Sequence, residues 1–265
     1  MTTIIAIVME KGGVGKTTTT LNLGDALALA GKRVLLVDLD AQRSLTQWCG
    51  ISQSDARTLS NTHRSIYSAL LKDADPNAMV IGRTDSSGRP LAALLPGSEA
   101  MAGAADELNR NAAEAQFKLK DALGRLDRSW DYVLIDCPPA LTVVTVNALV
   151  AATHCIIPVK TDFISMAGLL DVLKTIQSAT RLNPGLVNLG VLPTIHSSHQ
   201  KEDSDALRDL AELLRPHHSP HFEPIPRNTR VDQSSSKGTS VVASAPDAKA
   251  SRAYVALATQ LIQSL

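Results

Sequence analysis

The sequence predicts an α/β protein, a single domain built on a mostly parallel, twisted sheet with helices on both faces. Two observations lead to this prediction. Short apolar runs rich in valine, isoleucine and leucine alternate along the chain with longer segments whose leucines and alanines recur at helical spacing. The runs are apolar at nearly every position, which is typical of strands covered on both faces of a sheet.

The predicted elements follow one another along the whole chain. The apolar runs predict strands at Thr3–Val8, Arg33–Val37, Leu91–Leu95, Tyr132–Asp136, His154–Val159 and Val187–Leu192. Helical spacing predicts helices at Thr19–Ala30, Ile66–Leu71, Ala104–Leu126, Ala167–Thr180, Ser204–Leu214 and Ala250–Ser264. Pro96-Gly97 ends the third strand, because neither residue favours a continuing strand. The more polar stretch from Ser52 to Arg89 is interpreted as an insertion or switch region, and Pro216–Pro226 as a loop around a short strand.

The composition fits a single globular domain. The chain has 265 residues, of which 44% are hydrophobic but only 3% aromatic, so we expect one large core made mainly of aliphatic side chains. The formal net charge is zero, so binding to nucleic acid would require a local basic patch. We expect the domain to span residues 1–265 without a signal peptide or an N-terminal DNA-binding extension, because the first strand begins almost at once.

Several other classes of protein fit the sequence poorly. Cys49, Cys137 and Cys155 are dispersed, with no C-x-x-C spacing, which is typical of reduced cysteines in a cytoplasmic protein and argues against an iron–sulfur or zinc site. No apolar run approaches the roughly 18 residues of a membrane span. From Ala253 to Leu265 the final helix has no lysine or arginine, so we expect no binding to an anionic membrane surface.

A glycine-rich loop between the first strand and the first helix predicts a phosphate-binding site. It reads Lys11-Gly12-Gly13-Val14-Gly15-Lys16-Thr17-Thr18. Glycines let backbone N–H groups close around a polyphosphate, and the start of the following helix adds the positive end of its dipole. In such a loop Lys16 would reach the β- and γ-phosphates, and the Thr17 hydroxyl would be a ligand of Mg²⁺. The sequence therefore predicts a P-loop nucleotide-binding fold.

Carboxylates end two of the predicted strands, at the edge of the sheet where the P-loop also lies. Asp136 ends a buried strand, as does the acidic residue that holds Mg²⁺ in P-loop proteins, often through water. Asp38 and Asp40 are two residues apart and would point to the same face of a continuing strand. Asp40 lies further beyond the strand and is better placed to reach a γ-phosphate. Asp38 is interpreted as a structural or supporting carboxylate, a choice that the sequence leaves open.

These motifs resemble those of the ParA/MinD family of ATPases, in which the Lys11–Thr18 pattern is a deviant Walker A motif. Within that family the chain most resembles the Soj-type ParA partition ATPases. The matching segments are Lys11–Thr19, Val34–Gln42, Asp136–Pro139, Val146–Leu149, Ile156–Val159, Ile225–Asn228 and Ala253-Tyr254. They span almost the whole chain, and Ile225–Asn228 points to partition proteins in particular.

The resemblance implies a role for each site residue. Lys16 would be the usual P-loop lysine, whereas Lys11 would cross a dimer interface to the nucleotide of the other subunit, like an arginine finger supplied in trans. Asp40 would position the attacking water. The resemblance makes Thr17 and Asp136 organise Mg²⁺ and Thr18 contact the α-phosphate, and it brings Thr194, Pro226 and Arg227 to the adenine.

The resemblance also implies a biological role. An ATP-bound sandwich homodimer, formed with Mg²⁺, would bind double-stranded DNA without sequence specificity in the cytoplasm, associated with the nucleoid. A ParB-like centromere-binding partner would stimulate ATP hydrolysis and release the dimer during plasmid or chromosome segregation. One alternative is a ParA-like ATPase that positions a protein cargo. The other is a P-loop synthetase that acts on a small molecule and has no need of Lys11.

DNA binding by this family uses basic side chains late in the chain, and this chain is locally basic there. The candidates are Arg227, Arg230, Lys237, Lys249 and Arg252. Arg230 is the first choice, because its spacing from Asn228 matches a DNA-contacting arginine of the family.

The chain departs from the family pattern directly after Asp40. It has Ala41-Gln42-Arg43 where the family usually has Pro-Gln-Gly. We expect this loop either to be less rigid than usual or to make an additional contact, with an effect on hydrolysis more than on nucleotide binding.

Overall fold

A single parallel sheet organises the protein. The computed structural model describes residues 1–110, 114–127, 129–161, 168–198, 200–217 and 219–265. Within these ranges the strands are β1 (Thr3–Ile7), β2 (Val34–Asp38), β3 (Ile81–Thr84), β4 (Pro90–Leu95), β5 (Tyr132–Asp136), β6 (His154–Lys160) and β7 (Val187–Thr194). They form a 7-stranded sheet in the order β3-β4-β2-β5-β1-β6-β7. Neighbouring strands are parallel except β3 and β4, which are antiparallel, so the predicted fold class is confirmed.

Helices connect the strands and cover the sheet. The α-helices of the described ranges are α1 (Lys16–Leu29), α2 (Ser44–Trp48), α3 (Gln53–Asn61), α4 (Ile66–Leu71), α5 (Ala104–Arg110), α6 (Lys118–Gly124), α7 (Val143–Ala151), α8 (Leu169–Ala179), α9 (Lys201–Leu214), α10 (Thr229–Ser235), α11 (Val241–Ser244) and α12 (Lys249–Ser264). Short 3₁₀ turns lie at Pro76–Met79, Glu99–Gly103 and Arg215–His217.

The sheet is buried on both faces, which explains the continuous apolar runs of the sequence. In β1, Ile5 and Ile7 face a core cluster that includes side chains of α1 and α12. The intervening Ala6 faces the other cluster, which includes side chains of α7 and α8. Aliphatic side chains dominate both clusters, as the composition predicted, and Tyr254 is among the largest fully buried side chains.

The structure corrects the prediction of one continuous helix from Ala104 to Leu126. Two helices, α5 and α6, occupy this stretch, and Glu114–Phe117 form a turn between them. The buried Asn147 of α7 supports the turn: its side-chain amide donates to the carbonyl of Ala115 at 2.6 Å, and its carbonyl oxygen accepts from Leu119 N–H at 3.0 Å. This partner lies far away along the chain, so helical spacing alone could not reveal the break. Residues 111–113 lie outside the described ranges, as does Ala167 at the start of another predicted helix.

The antiparallel edge strand β3 was missed in the sequence because it is short and its residues alternate between half-buried and exposed. It is held by an ion pair in the interior between Arg83 of β3 and Asp25 of α1, with Arg83 Nη1 at 3.0 Å from Asp25 Oδ1. Asp25 is fully buried and Arg83 is only 6% exposed in its side chain. Burial raises the pKa of Asp25, and the Arg83 guanidinium opposes that rise.

We expect Arg83→Met to destabilise the fold by about 3–5 kcal/mol, because it leaves the Asp25 carboxylate buried without its counter-ion. Urea unfolding of the two proteins measures the difference. The matched control is Arg33→Met, which breaks the exposed pair of Arg33 with Asp131 and should cost about 1 kcal/mol or less. If both variants lost the same small amount of stability, the Arg83–Asp25 pair would not stabilise the edge of the sheet.

Candidate functional site

The glycine-rich loop lies between β1 and α1 at the carboxyl end of the sheet. Gly13 and Gly15 have positive φ angles of 74° and 86°, a backbone conformation that side chains disfavour, so glycine is needed at both positions. The loop is tied to β7, because the Thr194 hydroxyl donates to the carbonyl of Val14 at 2.7 Å. Two distant parts of the chain, both predicted from the sequence to contact nucleotide, therefore meet at this point.

Lys16 begins α1 and its side chain turns back over the loop. Its Nζ donates to the carbonyl of Lys11 at 3.0 Å, and the residue is only 7% exposed. Burial lowers the pKa of Lys16, while the nearby carboxylates of Asp136 and Asp40 act in the opposite direction. The ammonium group is thus held inside the loop, at the position where a bound polyphosphate would meet it.

Asp38 and Asp136 end adjacent strands and lie directly opposite each other in the β2–β5 register. Both are fully buried. Asp38 accepts hydrogen bonds from the N–H and the hydroxyl of Thr46, at 2.9 and 2.6 Å, and from the N–H of Asp40 at 3.1 Å. Burial nevertheless raises the pKa of Asp38 to about 6. Asp38 therefore acts as a structural carboxylate that fixes the chain from Asp40 to Thr46, which answers the question that the sequence left open.

Asp136 has far fewer partners than Asp38. One carboxylate oxygen receives a long contact of 3.5 Å from the Thr20 hydroxyl, and the other, Oδ2, is buried without a hydrogen bond to any described residue. Burial raises the pKa of Asp136 well above the usual range, and Asp38 adds to the rise, whereas Thr17 and Lys16 oppose it. The Thr17 hydroxyl lies near enough to Asp136 to favour the ionised carboxylate. It does not complete a hydrogen bond to Oδ2.

This arrangement fits a hard cation. A buried carboxylate oxygen without a partner is costly, and a metal ion beside the Thr17 hydroxyl would satisfy it. Within the described ranges no group of three or more His, Cys, Asp or Glu side chains could hold a metal ion by itself. A cation here would therefore need waters or phosphate oxygens to complete its shell, which is how Mg²⁺ is commonly bound.

Asp40 lies on a turn beyond the end of β2 and is half-buried. One of its carboxylate oxygens accepts from Gln42 N–H at 2.9 Å, and its carbonyl accepts from Arg43 N–H at 2.9 Å. The additional contact expected of this loop is present, because the buried Arg43 side chain forms an ion pair with Glu99.

A cavity of about 320 Å³ opens beside the loop. Its lining includes the predicted residues Gly13, Gly15, Thr18, Thr194, Pro226 and Arg227. The loop at Pro226 reaches it because Ile225 N–H donates to the carbonyl of Pro193 at 2.8 Å, and Arg227 N–H donates to that of His196, also at 2.8 Å. The remaining predicted residues lie outside this lining, on the loop and at the strand ends: Lys11, Gly12, Val14, Lys16, Thr17, Asp40 and Asp136.

The cavity also has lining residues that the sequence did not single out, among them Ile195 and Asp232. Ile195 has a φ of 54°, which is strained for a β-branched residue. Nothing in the local sequence marks this strain, because it arises where β7 gives way to the segment that holds the loop at Pro226.

The predicted basic residues are all exposed: Arg227, Arg230, Lys237, Lys249 and Arg252. Arg230 is the second residue of α10, whose N-cap Asn228 accepts from Arg230 N–H at 3.0 Å. Lys249 and Arg252 lie in the first turn of α12, and α11 packs between α10 and α12. Among the helices that the structure describes, none has the length and apolar character to cross a membrane.

Comparison with known proteins gives consistent results. A family model described as an AAA domain matches residues 2–187. The chain is 34% identical to the sporulation initiation inhibitor protein Soj of Bacillus subtilis strain 168 over 259 residues, which cover 97% of each chain. It is also 34% identical to the chromosome partitioning protein ParA of Caulobacter vibrioides over 264 residues, with 98% of this chain and 93% of that protein covered.

A solved structure is also similar to this chain over nearly its full length. It is that of cobyrinic acid a,c-diamide synthase from Mycobacterium smegmatis with bound ADP and magnesium, which is 34% identical to this chain. The TM-score is 0.82, with 99% of this chain and 95% of that chain covered.

We expect Asp136→Asn to raise the free energy of unfolding at neutral pH by about 1–3 kcal/mol, because it removes the charge from a buried, poorly partnered carboxylate. A raised pKa means that the folded protein holds a proton which the unfolded chain has lost. The stability that Asp136 contributes should therefore be present below about pH 4 and be lost as pH rises towards the folded pKa.

Urea unfolding at several pH values tests this expectation. The difference in stability between Asp136→Asn and wild type should grow as pH rises from about 4 and then level off. A variant that is less stable than wild type at neutral pH would show that burial of the Asp136 carboxylate does not destabilise the protein.

Proposed function

This chain belongs to the ParA/Soj family of chromosome-partitioning ATPases, and from that premise we propose that it is an ATP-driven switch for DNA partition. In the proposed cycle, an ATP-bound dimer binds DNA without sequence specificity, and hydrolysis to ADP and phosphate releases it. The observation that carries the proposal is that Lys16 and Asp136 are both buried at the P-loop. Lys16 would supply a cation for phosphates, and Asp136 would supply to Mg²⁺ an oxygen that has no hydrogen bond to any described residue.

The proposed nucleotide site follows from the contacts of the loop. The triphosphate would lie against the backbone of Gly12–Gly15 and the start of α1, with Lys16 at the β- and γ-phosphates and Thr18 at the α-phosphate. The base would enter the cavity next to Thr194, Pro226 and Arg227. Thr17 and Asp136 would hold Mg²⁺. When bound, the ion would neutralise charge on the β- and γ-phosphate oxygens.

Hydrolysis would be carried out by side chains around the γ-phosphate. Asp40 would orient a water molecule for attack on the γ-phosphorus, so that an oxygen–phosphorus bond forms as the bond to the leaving ADP oxygen breaks. Its position supports this role, because hydrogen bonds from its N–H to Asp38 and from Gln42 to its carboxylate hold it beyond the end of β2.

Lys11 is the residue that would make hydrolysis depend on a second subunit. It precedes the glycines and is half-buried, and its carbonyl is fixed by Lys16 Nζ at 3.0 Å. In a dimer that faces two such loops towards each other, the Lys11 ammonium would reach the nucleotide of the partner and stabilise the charge that develops as the γ-phosphate leaves.

DNA binding is proposed for the exposed basic residues near the end of the chain. Arg230 is the central candidate, with Arg227, Lys237, Lys249 and Arg252 around it in the sequence. Because the formal net charge of the chain is zero, the attraction would be local to this region rather than a property of the whole protein. A ParB-like protein bound to a plasmid or chromosome would be the partner that stimulates hydrolysis, and the dimer would be associated with the nucleoid.

The relative from Mycobacterium smegmatis favours a second candidate function, because it is described as a cobyrinic acid a,c-diamide synthase. A small-molecule synthetase would bind ATP with the same loop but would need neither DNA nor Lys11. ATP-dependent binding to random duplex DNA separates the two functions. DNA binding that requires ATP supports the partition ATPase, and its absence favours the synthetase. A ParA-like ATPase that positions a protein cargo would also bind DNA, and would differ in having no centromere-binding partner.

We expect Lys11→Ala to bind ATP normally but to lose DNA-stimulated hydrolysis by about a hundredfold or more, because charge stabilisation from the partner subunit is removed. Equilibrium dialysis with ATP and a phosphate-release assay measure the two effects. Lys16→Ala is the matched control, which should lose ATP binding itself. Turnover by Lys11→Ala at the wild-type rate would contradict a role for Lys11 across the dimer.

Arg230→Ala should weaken DNA binding severalfold and lower the slope of log affinity against log salt by about one, because one phosphate contact is lost. Dimerisation with ATP should be unchanged. Fluorescence anisotropy with a labelled random duplex at several salt concentrations measures the slope. The control is Arg208→Ala, which removes an exposed charge from α9 and should leave both values at wild type. If Arg230→Ala and Arg208→Ala had the same affinity for DNA and the same salt slope, Arg230 would not lie on the DNA-binding surface.

A further inference from the structure

Arg43 occupies an unusual position in the loop that follows Asp40. Its φ is 57°, in the left-handed region that favours glycine, and the residue is only 3% exposed. Its guanidinium forms an ion pair with Glu99, which lies in the 3₁₀ turn after β4. An arginine here therefore has both a strained backbone and a buried charge.

The guanidinium is also incompletely satisfied. Among the described residues, its Nε and Nη1 groups are buried and have no hydrogen-bond partner. A buried donor without a partner and a strained φ both cost free energy. Costs of this kind persist where the surrounding structure enforces a particular local geometry, and they cluster at functional sites.

The geometry enforced here is that of the Asp40 turn. Arg43 N–H donates to the carbonyl of Asp40 at 2.9 Å, and the Arg43 carbonyl accepts from Gln47 N–H at 3.0 Å in the first turns of α2. Arg43 thus joins the turn that carries the Asp40 carboxylate to the helix that follows it. Because only one hydrogen-bonded turn separates the two residues, a shift of Arg43 would also shift Asp40.

Glu99 belongs to a segment that holds the same loop at a second point. Gly97 N–H donates to the Thr46 hydroxyl at 2.9 Å, and that hydroxyl donates to Asp38. A Cβ atom at Gly97 would lie 2.9 Å from Cγ of Asp38, so the segment lies directly against the buried carboxylate. Residues 97–99 therefore contact both ends of the loop from Asp38 to Thr46.

We infer that Arg43, anchored by Glu99, is a positioning residue that holds the Asp40 carboxylate in the orientation needed for hydrolysis. The inference rests on the proposed function, in which Asp40 orients the attacking water. Arg43 acts through the backbone of the turn, whereas nucleotide binding depends on the P-loop. Loss of the Arg43–Glu99 pair should therefore lower kcat and leave the affinity for ATP unchanged.

Four single variants and one double variant test the inference. Arg43→Gly removes the anchor but relieves the positive φ, so it should fold, whereas Arg43→Ala removes the anchor and keeps the strain. Glu99→Gln removes the charge of the other partner. Arg57→Ala is the matched control, because Arg57 Nε lies 3.8 Å from the same Glu99 oxygen but is 63% exposed and belongs to α3.

We expect both Arg43 variants and Glu99→Gln to lower kcat about tenfold to a hundredfold, since small misplacements of a catalytic group have effects of this size. KM for ATP and the affinity for a non-hydrolysable ATP analogue should stay at wild type. Amide hydrogen exchange of residues 40–49 should be faster in these variants. The double variant Arg43→Gly with Glu99→Gln should be no slower than the slower single variant, and Arg57→Ala should match wild type.

Each contrary outcome overturns the inference in a recognisable way. Wild-type kcat in Arg43→Gly and Arg43→Ala would show that the anchor is not needed, while the proposed ATPase function would stand. Wild-type kcat in Arg43→Gly alone would assign the effect to backbone strain. A weakened affinity for the ATP analogue would mean that Arg43 contacts the nucleotide directly. Absence of hydrolysis by the wild-type protein would overturn the proposed function, and this inference with it.

Discussion

Two carboxylates buried opposite each other at the end of the sheet constrain the loop after β2 and the site at the P-loop. Asp38 and Asp136 are neighbours on β2 and β5, both fully buried, and burial raises the pKa of each. Like charges in the interior repel each other and have lost their water, so each needs its own stabilising groups. The protein meets this need in two different ways, and the difference assigns the two residues different tasks.

Asp38 is satisfied by the protein itself. Three hydrogen bonds from Thr46 and Asp40 fix the loop that follows β2, and Gly97 closes over the carboxylate. Asp136 has one oxygen, Oδ2, without a hydrogen bond to any residue that the structure describes, and Lys16 and Thr17 only partly oppose the rise of its pKa. Asp38 thus fixes the loop after β2, whereas Asp136 is the carboxylate that we propose for Mg²⁺.

The features that the sequence revealed are those set by local pattern. Continuous apolar runs marked the strands of the parallel sheet, and the glycine spacing marked the loop whose Gly13 and Gly15 have positive φ angles. Features that depend on a distant partner were not visible. Strand β3 needs the ion pair between Arg83 and Asp25, and the break before α6 needs the amide of Asn147. The contacts of Gly97–Glu99 with the loop after β2 gave no signal either, because they join residues more than fifty positions apart. The roles of the individual site residues stay predictions.

We propose that this site is completed by a second copy of the chain, so that the bound nucleotide controls assembly. Static light scattering of the wild-type protein in the presence of Mg²⁺ tests it directly, with ATP, with ADP and without nucleotide. We expect about twice the monomer mass with ATP and the monomer mass under the other two conditions. The same mass under all three conditions would contradict it.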